Sequence, residues 1–88
     1  SRIAELRRKI AFGQYELTGH AKDEMEQDGF TICDVKSAIY SGRISSTQRH
    51  GGKRKVVVSG KAENGRPLKI VCRLTEGGRL RVVTVFAI

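Results

Sequence analysis

Histidine and arginine are the residue types in this chain whose chemistry suits cleavage of a phosphodiester. Metal-free cleavage of RNA needs a base for the 2′-hydroxyl proton, an acid for the leaving oxygen and cations for the charge on phosphorus. An imidazole can be acid or base near neutral pH, and His20 has Glu24 one helical turn later to orient its ring. Arg66 and Arg73 are predicted to complete a catalytic site, because a planar guanidinium can donate two hydrogen bonds to phosphate. Alternatively, His20 only caps or packs the start of its helix, and Arg66 is a solvated turn residue.

Five further basic residues are candidates for binding the nucleic-acid backbone. Lys53, Arg54 and Lys55 form the densest basic run, and Lys69 and Arg81 lie on later predicted strands. Charge of this kind gives affinity and salt dependence without sequence specificity. The basic run fits a solvated hairpin edge, protected from aggregation by its charge, equally well.

The basic charge of the chain is concentrated in its second half. The 88 residues carry 17 Lys and Arg against 9 Asp and Glu, a formal net charge of +8. Residues 43–88 hold 11 basic and 2 acidic side chains, whereas residues 1–42 hold 6 basic and 7 acidic ones. A basic half on a small domain is typical of a protein with a polyanionic partner, most often nucleic acid. The alternative is that the charge serves solubility alone.

Composition excludes three classes of protein: a secreted disulfide scaffold, a zinc finger and a membrane protein. The two cysteines, Cys33 and Cys72, have neither CxxC nor Cys/His metal spacing, so the sequence predicts no metal site and no cofactor. Both are expected to be reduced, buried thiols of a cytoplasmic protein, with a single disulfide as the alternative. No apolar run approaches the roughly 18 residues of a membrane span, and the charged N-terminal segment lacks the apolar stretch of a signal peptide. We therefore expect no membrane partner.

Three helices are predicted in the first half of the chain. Apolar residues at helical spacing predict a helix over 2–12, ended by Gly13. After a short strand at 15–18, Thr18 is the expected N-cap of a helix over 19–27, and a capping sequence starting at Thr31 begins a third helix that Ser41-Gly42 closes. These helices must hold His20 against the structure formed by the second half of the chain.

The second half is predicted to form strands joined by short turns. Strands are expected at 43–49, 55–61, 68–75 and 80–88, with an exposed turn at His50-Gly51-Gly52. Successive strands with short connections form an antiparallel meander. The prediction is a single domain over 1–88 with an α+β fold: helices from about 1–42 pack on one face of a four- to five-stranded antiparallel meander from about 43–88.

Side-chain parity predicts the sheet register. A three-residue loop at 76–78 pairs Leu74 with Leu80 and Cys72 with Val82, and the preceding hairpin pairs Val58 with Cys72. The helix-facing side then continues through Thr84 and Phe86, whereas Lys69, Arg73, Arg81, Val83 and Val85 face away from the helices. Arg73 and Arg81 become direct neighbours, an unfavourable pair that a bridging anion would relieve. Alternatively, the two arginines splay into water.

A set of short motifs resembles a bacterial family of domains of unknown function. The resemblance covers about residues 17–87, and each motif gains specificity from the order and spacing of the others. The matching residues are Thr18-Gly19-His20-Ala21, Met25, Gly29-Phe30-Thr31, Asp34-Val35, Ala38-Ile39, Gly42, Gly65-Arg66-Pro67-Leu68-Lys69-Ile70-Val71-Cys72 and Val83-Thr84-Val85-Phe86.

This family is similar to the RelE-like, BrnT-like and MqsR-like toxins of bacterial toxin–antitoxin systems. The resemblance implies a RelE/barnase-like fold, metal-independent endoribonuclease activity on RNA, including ribosome-associated mRNA, and an antitoxin protein as partner. The chain departs from the family pattern at four positions: Glu24 and Asp28 replace common arginines, Lys69 a histidine and Phe86 a tyrosine. The alternative is therefore a non-catalytic basic domain that binds nucleic acid or an acidic antitoxin-like partner.

Overall fold

Three helices precede most of a five-stranded sheet. The structure is a computed structural model that describes the backbone of residues 1–88 and every side chain except that of His50. The elements in chain order are α1 (Arg2–Ala11), β1 (Tyr15–Leu17), α2 (Gly19–Asp28), α3 (Ile32–Ser41), β2 (Arg43–His50), β3 (Lys53–Lys61), β4 (Pro67–Leu74) and β5 (Leu80–Ala87). The predicted α+β fold with N-terminal helices is confirmed.

Local capping interactions fix where the helices begin. The Thr18 hydroxyl accepts a hydrogen bond from the Ala21 amide, as predicted for an N-cap. Thr31 and Asp34 form a complete capping box at the start of α3, with the Thr31 amide donating to the Asp34 carboxylate at 2.9 Å. Two orphan amides are satisfied at that end, so the predicted start of α3 is confirmed.

The sheet has the strand order β1-β5-β4-β3-β2. Strands β2 to β5 form the predicted antiparallel meander, but β1 pairs with β5 in parallel, which the meander prediction omitted. The Leu80 amide donates to the Gln14 carbonyl and the Thr18 amide to the Val82 carbonyl, one at each end of β1. A three-residue strand carries too little alternation to identify its partner, and its direction is set by the helix that follows it.

The hydrophobic core lies between the helices and one sheet face. Leu68, Ile70 and Cys72 are fully buried on β4, which confirms that the helices cover the predicted face. Helix α2 packs on β5, α3 on β3 and β4, and α1 on α3 and β5. None of the helices in the described part of the chain has the length and apolar character needed to cross a membrane.

Helix α3 approaches β3 so closely that glycine is required at the contact. A Cβ on Gly60 would lie 2.1 Å from the Ala38 carbonyl oxygen, and one on Gly42 would lie 2.4 Å from the same atom. The hydroxyl of Ser37 also donates to the Lys61 carbonyl at 2.9 Å. This contact fixes the helical layer against the sheet.

A β-bulge in β5 reverses the predicted orientation of its second half. Val82 pairs with Cys72, but Val71 pairs with Thr84, so Val83 is an extra residue on β5. Val85 is consequently fully buried in the core, while Thr84 and Phe86 face away from the helices. The prediction that Thr84 and Phe86 continue the helix-facing side is wrong for this reason.

The β2–β3–β4 hairpins also differ in detail from the expected register. Val56, rather than Val58, pairs with Cys72, a shift of two residues that leaves the side-chain parity unchanged. The β2–β3 turn consists of Gly51 and Gly52, which both have positive φ, as a type I′ turn requires. The predicted turn residue His50 has its backbone in β2, and its side chain lies outside the described residues.

Candidate nucleic-acid interface

A basic hollow lies on the outer face of the sheet, the face turned away from the helices. We call it the outer hollow; it has a volume of about 440 Å³. Four of its lining residues are basic: Lys53, Lys55, Arg73 and Arg81. The remaining described lining comes from Thr18, Gly51 and Val83. The structure thus brings together four of the eight residues predicted for catalysis or nucleic-acid binding.

Arg73 and Arg81 are direct cross-strand neighbours, as the predicted register of β4 and β5 requires. The Glu16 carboxylate, from the neighbouring strand β1, accepts a hydrogen bond from Arg81 Nε at 3.0 Å and lies 3.7 Å from Arg79 Nε. Arg73 forms no ion pair with any side chain that the structure describes. The cross-strand row of Glu16, Arg81 and Arg73 therefore has one carboxylate at its β1 end and an excess of positive charge towards β4.

The wall of the outer hollow beside β5 is fixed by Thr18. Its hydroxyl donates to the Val83 carbonyl at 3.0 Å, and its backbone amide donates to the Val82 carbonyl at 3.1 Å. Because Thr18 is also the N-cap of α2, the start of that helix borders the hollow. The partial positive charge of a helix N-terminus adds to the basic side chains there.

His20 lies beside this wall rather than in it. Its side chain is 67% exposed, and its Nε2 lies 3.2 Å from Glu24 Oε1, as the i,i+4 spacing predicted. The same Glu24 oxygen accepts a hydrogen bond from the Val85 amide at 3.0 Å, just beyond the bulge. Glu24 therefore joins α2 to the open edge of β5 and holds the imidazole next to the start of the helix.

The other predicted residues lie elsewhere. Arg66 stacks on Phe30, with its guanidinium carbon 4.4 Å from the ring centroid, and donates to the Asp28 carbonyl at 2.8 Å, so it braces the end of α2. Lys69 is on the outer face but four residues along β4 from Arg73, a separation of about 13 Å. Neither borders the outer hollow among its described residues.

Two residues of the interface were missed by the sequence predictions. Glu16 is a lone acidic residue in a short strand, and its pairing with Arg81 follows only from the parallel β1–β5 register. Thr18 was identified as a helix cap, but its place in the wall depends on the bulge. The basic residues, in contrast, could be found from parity and charge.

The cysteines do not take part in the interface. Cys72 is buried, and burial raises the pKa of its thiol to about 12. Cys33 is exposed, so its predicted burial is wrong: it lies on the solvent side of α3. Both are free thiols. Among the described residues, no group of three or more His, Cys, Asp or Glu side chains could hold a metal ion.

Comparison with known proteins gives one match. A family model described as a domain of unknown function (DUF4258) matches residues 17–87, which include α2, α3 and the whole antiparallel meander. No curated protein and no solved structure matches the chain significantly.

Proposed function

We propose that this chain, which belongs to the DUF4258 family of domains of unknown function, binds RNA through the outer hollow. One observation carries the proposal: Lys53, Lys55, Arg73 and Arg81 surround a single hollow. Of these four cations, only Arg81 forms an ion pair with a described carboxylate. A phosphate group in the hollow would neutralise the cations that the fold itself leaves uncompensated.

The arrangement of Arg73 and Arg81 favours an anionic ligand over a purely structural role. Like charges directly opposite each other destabilise a sheet, and both side chains are half-buried, so water screens them less than on an open surface. A phosphodiester accepts hydrogen bonds from both guanidinium groups at once. Contacts of this kind recognise the backbone and not the bases, so we expect weak sequence preference.

A second candidate function is cleavage of the bound RNA, and the His20–Glu24 pair favours it. The pair lies at the start of α2, which borders the outer hollow. In this mechanism His20 takes the proton of a 2′-hydroxyl, and the 2′-oxygen attacks phosphorus. The bond to the 5′-oxygen breaks, that oxygen receives a proton from an imidazolium or from water, and the products are a 2′,3′-cyclic phosphate and a 5′-hydroxyl. Arg73 stabilises the charge on phosphorus.

Binding can be tested with fluorescently labelled RNA and a variant that removes two cations of the hollow. In fluorescence anisotropy at 50 mM salt, Lys55→Gln/Arg73→Gln should bind far more weakly than the wild type. The matched control Lys22→Gln/Arg43→Gln removes two exposed cations outside the hollow and should bind nearly as well. Equal losses in both double variants, or no binding by the wild type at low salt, would overturn the proposal. Binding of an acidic protein but not of RNA would identify an antitoxin-like partner instead.

Cleavage is tested separately with His20→Ala. We expect the variant to bind RNA as the wild type does, since His20 does not line the hollow, but to produce no cyclic-phosphate ends. Equal cleavage by the variant would show that His20 is not the base. Binding without turnover in the wild type would leave the chain as a non-catalytic RNA-binding domain.

A further inference from the structure

A second basic hollow lies at the same end of the sheet and extends from the outer face to the start of α1. We call it the tip hollow; it has a volume of about 260 Å³. The residues that line this hollow but not the outer hollow include Arg2 from the start of α1, Arg54, Leu74 and Glu76. Lys53 and Arg73 line both the tip hollow and the outer hollow.

Side-chain parity shows that the tip hollow spans both faces at the end of the sheet, because Lys53 and Arg73 have the parity of the outer face and Arg54 and Leu74 that of the helix-facing side. Arg54 has the parity of Val56, and Leu74 has that of Cys72; both valine and cysteine are buried under the helices. Lys55 and Arg81 have the opposite parity and line the outer hollow. The basic surface therefore continues around the end of the sheet, past the Gly51-Gly52 turn.

The charge of the tip hollow is not explained by folding. Arg2 occupies the first turn of α1, where the helix dipole disfavours a cation. Neither Arg2 nor Arg54 forms an ion pair with a described side chain, and Glu76 is the single carboxylate among the residues named above. Four cations therefore line the tip hollow against one carboxylate, and two of them, Lys53 and Arg73, are shared with the outer hollow.

We propose that the two hollows bind successive phosphates of one RNA strand, which turns around the end of the sheet, so that the ligand is single-stranded RNA. The inference rests on the proposed RNA binding by the outer hollow. A single strand is flexible enough to follow a basic groove around an edge. An A-form duplex is stiff and presents its phosphates on a regular cylinder, so it reaches one face of the sheet only.

The test compares a single-stranded oligonucleotide with a hairpin duplex of similar charge. The variant Arg2→Gln/Arg54→Gln removes the cations that belong to the tip hollow alone. Loss of one phosphate contact reduces the slope of log affinity against log salt concentration by about 0.7 for a single strand. If the contact adds no affinity at 1 M salt, this slope makes its loss an affinity loss of about eightfold at 50 mM salt. The variant should therefore lose well over tenfold in affinity for the single strand and about 1.4 in slope, while its affinity for the duplex changes less than twofold.

Arg8→Gln/Arg43→Gln is the matched control, because it removes one exposed cation from α1 and one from the sheet away from both hollows. The inference is overturned if the tip-hollow variant binds the single strand as tightly as this control does, or if its affinities for the single strand and the duplex fall equally. Failure of wild-type protein to bind any RNA would instead refute the proposed function, and this inference with it. Thermal unfolding of each variant verifies that it is folded.

Discussion

Substitution of Arg73 by glutamine should make the protein more stable and its RNA binding weaker. Arg73 lies directly opposite Arg81 on the outer face, and like charges in such a pair cost roughly 0.2–1 kcal/mol. Glu16 compensates Arg81 in part through its 3.0 Å contact, so we expect a gain of about 0.5 kcal/mol for Arg73→Gln. For a domain of this size, that corresponds to a rise in Tm of about 2–4 °C.

The effect of the same substitution on RNA binding has the opposite sign. Loss of one phosphate contact should lower affinity for a single strand about eightfold at 50 mM salt and reduce the salt slope by about 0.7. Stability is measured by thermal and urea denaturation followed by circular dichroism, and binding by anisotropy with labelled RNA. The gain in stability should shrink at high salt, because salt screens the repulsion between Arg73 and Arg81.

Lys69→Gln is the control for the stability measurement. Lys69 is on the same strand and face as Arg73, but its cross-strand neighbours are Ser59 and Phe86, so no cation lies directly opposite. Its removal should leave the Tm nearly unchanged. If Arg73→Gln unfolds at a lower temperature than the wild type, the arginine pair is not repulsive. If it gains stability but binds RNA unchanged, Arg73 does not contact phosphate.

Three further predictions concern the scaffold. Gly60→Ala should destabilise the protein by about 3 kcal/mol in urea denaturation, because its Cβ would lie 2.1 Å from the Ala38 carbonyl oxygen. Asp34→Ala should lower the free energy of unfolding by about 1 kcal/mol at pH 7. A backbone hydrogen bond from the capping box lowers the pKa of Asp34 in the folded state. The stabilisation by the Asp34 carboxylate is therefore complete above the ordinary pKa of 3.8 and is lost as pH falls through the folded-state pKa. Iodoacetamide at pH 8 should label Cys33 but not Cys72 in native protein, as mass spectrometry would show. Burial raises the pKa of Cys72 to about 12, so its thiol stays protonated and unreactive at that pH.

Each scaffold prediction has its own control. Gly77→Ala places its Cβ 3.8 Å from the Thr75 hydroxyl oxygen, an ordinary contact distance, so similar destabilisation by both glycine variants would show that the close approach of α3 to Gly60 is not the cause. Asp23→Ala removes an exposed carboxylate from α2 but keeps the capping box, so its stability should match that of the wild type at pH 7 and fall with acid in the same way. A capping cost for Asp34→Ala that persists at pH 2 would not come from the carboxylate. Labelling of native Cys33→Ser protein would show that Cys72 is accessible.

The elements of this fold were predictable wherever a local interaction determines them. The caps at Thr18 and Thr31 depend on residues within three positions, and both begin helices where the sequence predicted. The β4–β5 turn is short, and side-chain parity selected the loop length that pairs Arg73 with Arg81. The basic side of the candidate interface could therefore be predicted from the sequence without any knowledge of distant contacts.

The predictions failed where an extra residue or a distant partner decides the structure. In β5, the unbroken alternation from Leu80 to Phe86 fits a regular strand, and nothing local distinguishes Val83 as a bulge. The bulge is accompanied by two contacts from elsewhere in the chain: the Thr18 hydroxyl donates to the Val83 carbonyl, and the Glu24 carboxylate accepts from the Val85 amide. Both contacts span more than 60 residues, so periodicity could not reveal them.

The same bulge links the scaffold to the candidate interface. It turns Val85 into the core, where that side chain is fully buried, and leaves the Val83 carbonyl for Thr18 at the wall of the outer hollow. Glu24 is held at the edge of β5 by the Val85 amide, and His20 is placed beside the hollow through Glu24. In a regular β5, Val85 would face outward, and the Val83 carbonyl would no longer accept the hydrogen bond from the Thr18 hydroxyl at the start of α2. The position of His20 relative to the basic hollow therefore depends on an irregularity in the sheet, and not on the helix alone.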